Sequence, residues 1–124
     1  MSDARRLVVA EDDPTLLEML VRVLETAGYD VSAHRDGRSA VQAAAAQVPD
    51  AFILDVSMPV MTGLEATQEL RSQASTAGVP IMLLTAHGQW VDVAGGFDSG
   101  ADDYVTKPFS PQDLLQRLST LLVV

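Results

Sequence analysis

The chain has 124 residues, with eight Lys and Arg against 17 Asp and Glu for a formal net charge of −9; it has no Cys, and 48% of it is apolar. This acid excess offers no basic surface to exchange for the counterions of a phosphate backbone, and the lack of Cys excludes a disulfide framework, a thiolate metal site and a Cys nucleophile. The longest apolar runs, such as Val79 to Ala86, are too short to span a bilayer, and no apolar signal region follows Met1-Ser2-Asp3-Ala4-Arg5-Arg6, so the expectation is one soluble, cytoplasmic globular domain without a membrane partner.

Arg6 to Ala10 reads as a strand. Asp13 then offers an N-cap carboxylate and Pro14 a first-turn proline. Leu17, Leu20, Val21 and Leu24 follow at helical spacing, and Gly28 ends the segment. Tyr29 to Ala33 is a second, weaker strand. Asp36-Gly37 turns into an Ala-rich helix over Ser39 to Gln47, closed by Pro49. Ala51 to Leu54 is a third strand. Thr62 and Glu65 have capping-box spacing and open a third helix running to about Ala74. Val79 to Thr85 predicts a buried strand, with Pro80 tolerable at its start. A fourth helix is expected over Gln89 to Ser99, weakened by Gly95 and Gly96, each costing about 1 kcal/mol against Ala. Tyr104 to Thr106 is a short fifth strand. Ser110-Pro111 starts a last helix with Leu114, Leu115, Leu118, Leu121 and Leu122 on its apolar face. Five strands alternating with five helices predict an α/β fold, a five-stranded parallel sheet with helices on both faces.

In such a sheet ligands bind beyond the carboxyl ends of the strands. Glu11, Asp12 and Asp13 follow the first strand, Asp55 ends the third, Thr85 ends the fourth, and Lys107, the only Lys in the chain, follows the fifth. Glu11, Asp12 and Asp55 would repel one another in a bare cleft. A hard divalent cation offsets that repulsion, and Mg²⁺ is favoured over others because it takes one or two carboxylates together with waters and phosphate oxygens. A carboxylate beside it can attack a phosphoryl group and become an aspartyl phosphate. Lys107 would supply charge and Thr85 a donor to that group. Taken singly, each residue has an ordinary explanation: Asp13 a helix cap, Glu11 or Asp12 a solvated turn acid, Lys107 a surface lysine, Thr85 a strand end. Their coincidence at one edge of one sheet is what favours the functional reading. Asp55 is the least ordinary, because it closes the apolar run Ala51-Phe52-Ile53-Leu54, where a carboxylate is costly without partners.

Four segments, Leu7 to Pro14, Leu54 to Gly63, Leu84 to Ala86 and Gly100 to Phe109, fall in the order and spacing that resembles the receiver domain of bacterial two-component response regulators. The resemblance runs from Leu7 to about Leu122 and implies a single receiver domain over 1–124, with no output domain, on a flavodoxin-like doubly wound (βα)5 sheet of strand order 2-1-3-4-5. It implies that Asp55 is the phosphoacceptor and that Glu11, Asp12, Asp55 and the Ser57 carbonyl hold Mg²⁺ (or Mn²⁺). Thr85 and Lys107 would bind the phosphoryl group, Thr85 and Tyr104 would form the switch pair, and the Lys107–Pro108 peptide would be cis. The implied function is a phosphorylation-dependent signalling switch. Asp55 takes its phosphoryl group from a histidine kinase or phosphotransfer protein, and the face of helix four, strand five and helix five responds to control an output domain or downstream protein. No enzymatic role is expected beyond accepting and slowly losing that group, and no direct contact with nucleic acid.

The sequence also departs from the family. Thr62 replaces a common acid while keeping its capping role, and Ser57 puts a small polar residue at the position that, by the resemblance, would face the phosphoryl group. In the fourth predicted helix Phe97 reads as core and Trp90 as a partner contact. Asp103, Asp113 and Arg117 could join the charge pattern of a homodimer, although Val93 stands where a basic partner is expected. An aspartate-dependent phosphatase is the alternative function, but such enzymes want a second acid two residues past the nucleophile, and Ser57 occupies that place. A nucleotide or flavin site is disfavoured, because no glycine-rich phosphate loop follows a strand.

Overall fold

The computed structural model describes residues 4–86 and 100–122; the predicted helix over 89–99, with Trp90, Val93 and Phe97, lies outside them. Five parallel strands, β1 (Arg6–Ala10), β2 (Asp30–His34), β3 (Ala51–Asp55), β4 (Ile81–Ala86) and β5 (Asp103–Lys107), form one sheet in the order β2-β1-β3-β4-β5. Four helices pack on it among the described residues: α1 (Pro14–Thr26), α2 (Gly37–Ala46), α3 (Gly63–Ser72) and α4 (Pro111–Leu121). The expected fold class and strand order are thus those observed.

The central strands are apolar from Leu7 to Ala10, from Ala51 to Leu54 and from Ile81 to Leu84, because both faces of the sheet are covered. Alternation sends Leu7, Val9, Ile53, Met82, Leu84 and Val105 to one face, where they meet Leu17, Leu20 and Leu24 of α1 and Leu114 and Leu118 of α4. Val8, Ala10, Phe52, Leu54, Ile81 and Leu83 point the other way, onto Ala40, Val41 and Ala44 of α2 and Ala66 and Leu70 of α3. Each fully buried Leu or Ile contributes roughly 2 kcal/mol, so these two layers dominate over surface ion pairs.

The helix starts follow the cap chemistry. Asp13 accepts from the N–H groups of Thr15 at 2.9 Å and Leu16 at 3.4 Å. Thr62 and Glu65 form the reciprocal capping box, at 3.1 and 2.9 Å. Ser110 caps α4 through the Asp113 N–H at 2.9 Å.

Several boundaries differ from expectation. The α2 helix begins at Gly37 rather than Ser39, because Asp36 caps it by accepting the Ser39 N–H at 2.7 Å. The β2 strand runs one residue later than expected, to His34. The α3 helix stops at Ser72, where the Ser72 and Thr76 hydroxyls take the carbonyls of Glu69 and Leu70. The β4 strand starts at Ile81 rather than Val79, because the Val79 N–H turns back to Thr76 O at 3.1 Å. Pairing from Met82↔Asp103 to Ala86↔Lys107 extends β5 at both ends, which makes Lys107 its last residue.

Arg71, at the end of α3, ties this edge of the sheet together. Its Nε donates to Gly100 O at 2.9 Å, its Nη1 to the carbonyls of Thr76, Ala77 and Val79 at 3.3, 3.1 and 2.7 Å, and its Nη2 to Asp102 Oδ2 at 2.8 Å. The same Asp102 oxygen accepts the Ile81 N–H at 2.8 Å.

Candidate functional site

The chain leaves β1 and β3 in opposite directions across the sheet, and the crevice between their carboxyl ends is where an open parallel sheet places a ligand. Glu11 enters this crevice directly after β1. Its N–H extends the β1–β2 pairing by donating to His34 O at 3.0 Å. Its side chain is fully buried, and Oε2 accepts the Asp13 N–H at 3.0 Å. Asp12, beside it, is exposed. Asp55 is buried at the end of β3. One carboxylate oxygen from each of Glu11, Asp12 and Asp55 lies within 4.8 Å of the others.

Lys107 reaches in from the end of β5. Its Nζ lies 2.9 Å from Glu11 Oε1 and 3.2 Å from Asp55 Oδ1, with a quarter of the side chain exposed. The contact to Glu11 is an ion pair. Burial pushes the Glu11 carboxyl up to about 7, against the opposing pull of Lys107 and the Asp13 N–H. Burial by itself would depress Lys107, yet Glu11 and Asp55 outweigh it and hold the ammonium above its ordinary value. Three carboxyl groups share the crevice with one ammonium, which cannot balance all of them once they are ionised. The donor set is all hard oxygen, and Asp12 is exposed, so solvent reaches that side of it. These residues fit Mg²⁺.

Thr85 is buried in β4, one residue past the Leu84 that pairs with Asp55. Tyr104 is half-buried and packs against the α2–α3 side of the core. The Lys107–Pro108 peptide is cis. Ser57 is exposed in the loop after β3. Asp103 and Asp113 both pair with Arg117 within the chain, at 3.1 Å each.

Two features of the β3–α3 loop carry no signal in the composition or spacing of the motif. The Met61 N–H returns to Pro59 O at 2.7 Å around Val60, whose φ is +68°. This is a γ-turn of the rare, strained hand, centred on a β-branched residue. Two residues on, a Cβ at Gly63 would collide with the carbonyl oxygen of Asp55, and the Gly63 N–H donates to Val56 O at 3.0 Å. The first turn of α3 is therefore seated on the backbone of Asp55, and only glycine permits that approach. Beside Lys107, a cleft of about 530 Å³ opens between α1 and the segment after β5, lined by Leu16, Met19, Pro108 and Phe109 among others.

A family model for the response regulator receiver domain matches residues 7–119. The DNA-binding response regulator MtrA of Mycolicibacterium smegmatis is 43% identical over 118 residues, 95% of this chain and 50% of that protein. The chain spans about half the length of the curated relatives it matches. Among solved structures, the chemotaxis response regulator CheY4 of Vibrio cholerae is 34% identical with a TM-score of 0.90, covering 96% of this chain and 99% of that one. The receiver domain of the sensor histidine kinase PA1611 of Pseudomonas aeruginosa, solved with a magnesium ion coordinated in its active site cleft, is 33% identical with a TM-score of 0.90, covering 96% of this chain and 98% of that one.

Proposed function

Since the chain belongs to the response regulator receiver family, the phosphorylation switch of two-component signalling, we propose that Asp55 is its phosphoacceptor. The observation that carries this reading is Lys107 Nζ held between Asp55 and Glu11 where three carboxylates converge. An Asp55 carboxylate oxygen attacks the phosphorus of a phosphohistidine on a histidine kinase or phosphotransfer protein. The phosphorus–nitrogen bond breaks, and the departing imidazole takes up a proton. Glu11, Asp12, Asp55 and the Ser57 carbonyl hold Mg²⁺ or Mn²⁺, which when bound neutralises the carboxylates and the phosphoryl oxygens. Lys107 pairs with the new phosphoryl charge, and the Thr85 hydroxyl donates to one of its oxygens.

Phosphorylation adds about −1.5 to −2 charge. Thr85 and Lys107 are drawn toward it, Tyr104 repacks, and the population shifts between two arrangements of the face that includes β5 and α4. An output domain or downstream protein that binds one arrangement better reads the signal. The apolar cleft beside Lys107 suits a donor helix approaching Asp55, and a homodimer through the face that includes β5 and α4 would exchange the internal Asp103–Arg117–Asp113 pairs for pairs between copies. No helix among the described residues is long and apolar enough to cross a membrane. The acid excess leaves DNA binding, as in MtrA, to another domain. A phosphatase role is not supported, because Ser57 rather than an acid stands two residues past Asp55.

The test is mass spectrometry after incubation with Mg²⁺ and a small phosphodonor. The wild type gains one phosphoryl group and Asp55→Asn gains none; equal gain by Asp55→Asn overturns the assignment.

A further inference from the structure

The two halves of the proposed metal site are on separate loops, Glu11 and Asp12 after β1 and Ser57 after β3, and the turn between β2 and α2 touches both. His34 O accepts the Glu11 N–H at 3.0 Å. Arg35 Nη2 donates to the backbone carbonyl of Asp12 at 3.2 Å. Gly37 N–H donates to Met61 O at 3.2 Å, and the approach is so close that a Cβ at Gly37 would collide with that oxygen. Asp36 fixes the turn itself by capping α2 through the Ser39 N–H. The Arg35 side chain also lines the groove between α1 and β2, beside Pro14 and Leu17, so its stem has a surface to lie on.

We infer that residues 34–37 are a brace that sets the distance between the two ligand-bearing loops, with Arg35 and Gly37 as positioning residues for the divalent cation. The inference rests on the metal reading above. Outer partners that orient metal ligands affect affinity strongly although they never touch the ion. The sign of the effect separates positioning from charge. Arg35 brings a positive charge toward a cation site, so on Coulomb grounds alone its removal tightens Mg²⁺ binding. A brace predicts the opposite.

Calorimetric titration of the unphosphorylated protein with Mg²⁺ decides. Arg35→Met is expected to bind Mg²⁺ roughly tenfold more weakly than wild type, at the low end for an outer-shell partner, while melting with wild type in the absence of metal. Arg35→Lys, which keeps a donor on a long stem, recovers most of the affinity. Arg35→Met binding as tightly as wild type, or more tightly, overturns the brace. Gly37→Ala is the harsher variant and weakens Mg²⁺ further if it folds; if it does not, the Arg35 pair still decides. Asp12→Asn serves as the control. A wild type that binds no Mg²⁺, or that is matched by Asp12→Asn, overturns the metal reading and the brace with it. A wild type that binds while Arg35→Met is unaffected removes the brace alone.

Discussion

Val60 has a left-handed backbone and 80% of its surface in solvent. A β-branched residue in that region stores about 1–3 kcal/mol of strain, and its exposed side chain recovers little of it by packing. Glycine adopts the same turn freely and gives back only about 0.5–1 kcal/mol in chain entropy. Val60→Gly is therefore expected to raise stability by about 1 kcal/mol, read as a higher urea midpoint at unchanged slope; a lower midpoint would show that Val60 makes a contact the fold needs. Asp13 and Thr62 illustrate what single residues disclose in advance, because a cap acts on N–H groups two or three residues away. Val60 discloses nothing, because its conformation is imposed from elsewhere: Gly37 holds Met61 O, and Gly63 must reach the backbone of Asp55 and Val56.

Between elements, Arg71 outweighs the more conspicuous ion pairs. Arg22 and Glu18 sit 3.4 Å apart on α1, but both are largely exposed, and such a pair contributes a few tenths of a kcal/mol. Arg71 serves four carbonyls and Asp102, joining α3 to the starts of β4 and β5. Arg71→Met leaves these groups half-buried and underpaired, and is expected to cost about 3 kcal/mol in urea unfolding, whereas Arg22→Met should change stability by less than about 0.5 kcal/mol. Equal effects would sink the distinction. Strands, helices and their order are legible because apolar periodicity is local and repeated. The ends of β4 and α3 are not, since they depend on where Arg71 and Thr76 find carbonyls. Arg35 and Arg71 look in the sequence like any surface arginine, because backbone acceptors leave no mark on the residues that supply them. The acidic site is legible for the opposite reason: Asp55 ends a strand and Glu11 and Asp12 are the first two residues after one, and a parallel sheet brings strand ends together.

Over the whole molecule, the charge of −9 is unevenly spent. Most acids cap helices, pair with arginines or face water, and three converge. Any ion that binds the folded arrangement but not the unfolded chain stabilises the fold by mass action. Unfolding in Mg²⁺ against EDTA should show stability rising by about 1.4 kcal/mol for each tenfold increase in Mg²⁺ above its dissociation constant. Asp12→Asn and Asp55→Asn should lose most of that rise, and NaCl at matched ionic strength should not reproduce it. A gain shared by these variants would mean diffuse screening rather than a site. The lone lysine has a different consequence. Every other side-chain cation is a guanidinium, so an amine-directed acylating reagent meets one ε-amino group in the entire chain. In the folded protein that group is held as ammonium between two carboxylates, and only its neutral form acylates. The Lys107 labelling rate thus becomes a built-in chemical gauge of whether the pocket is assembled.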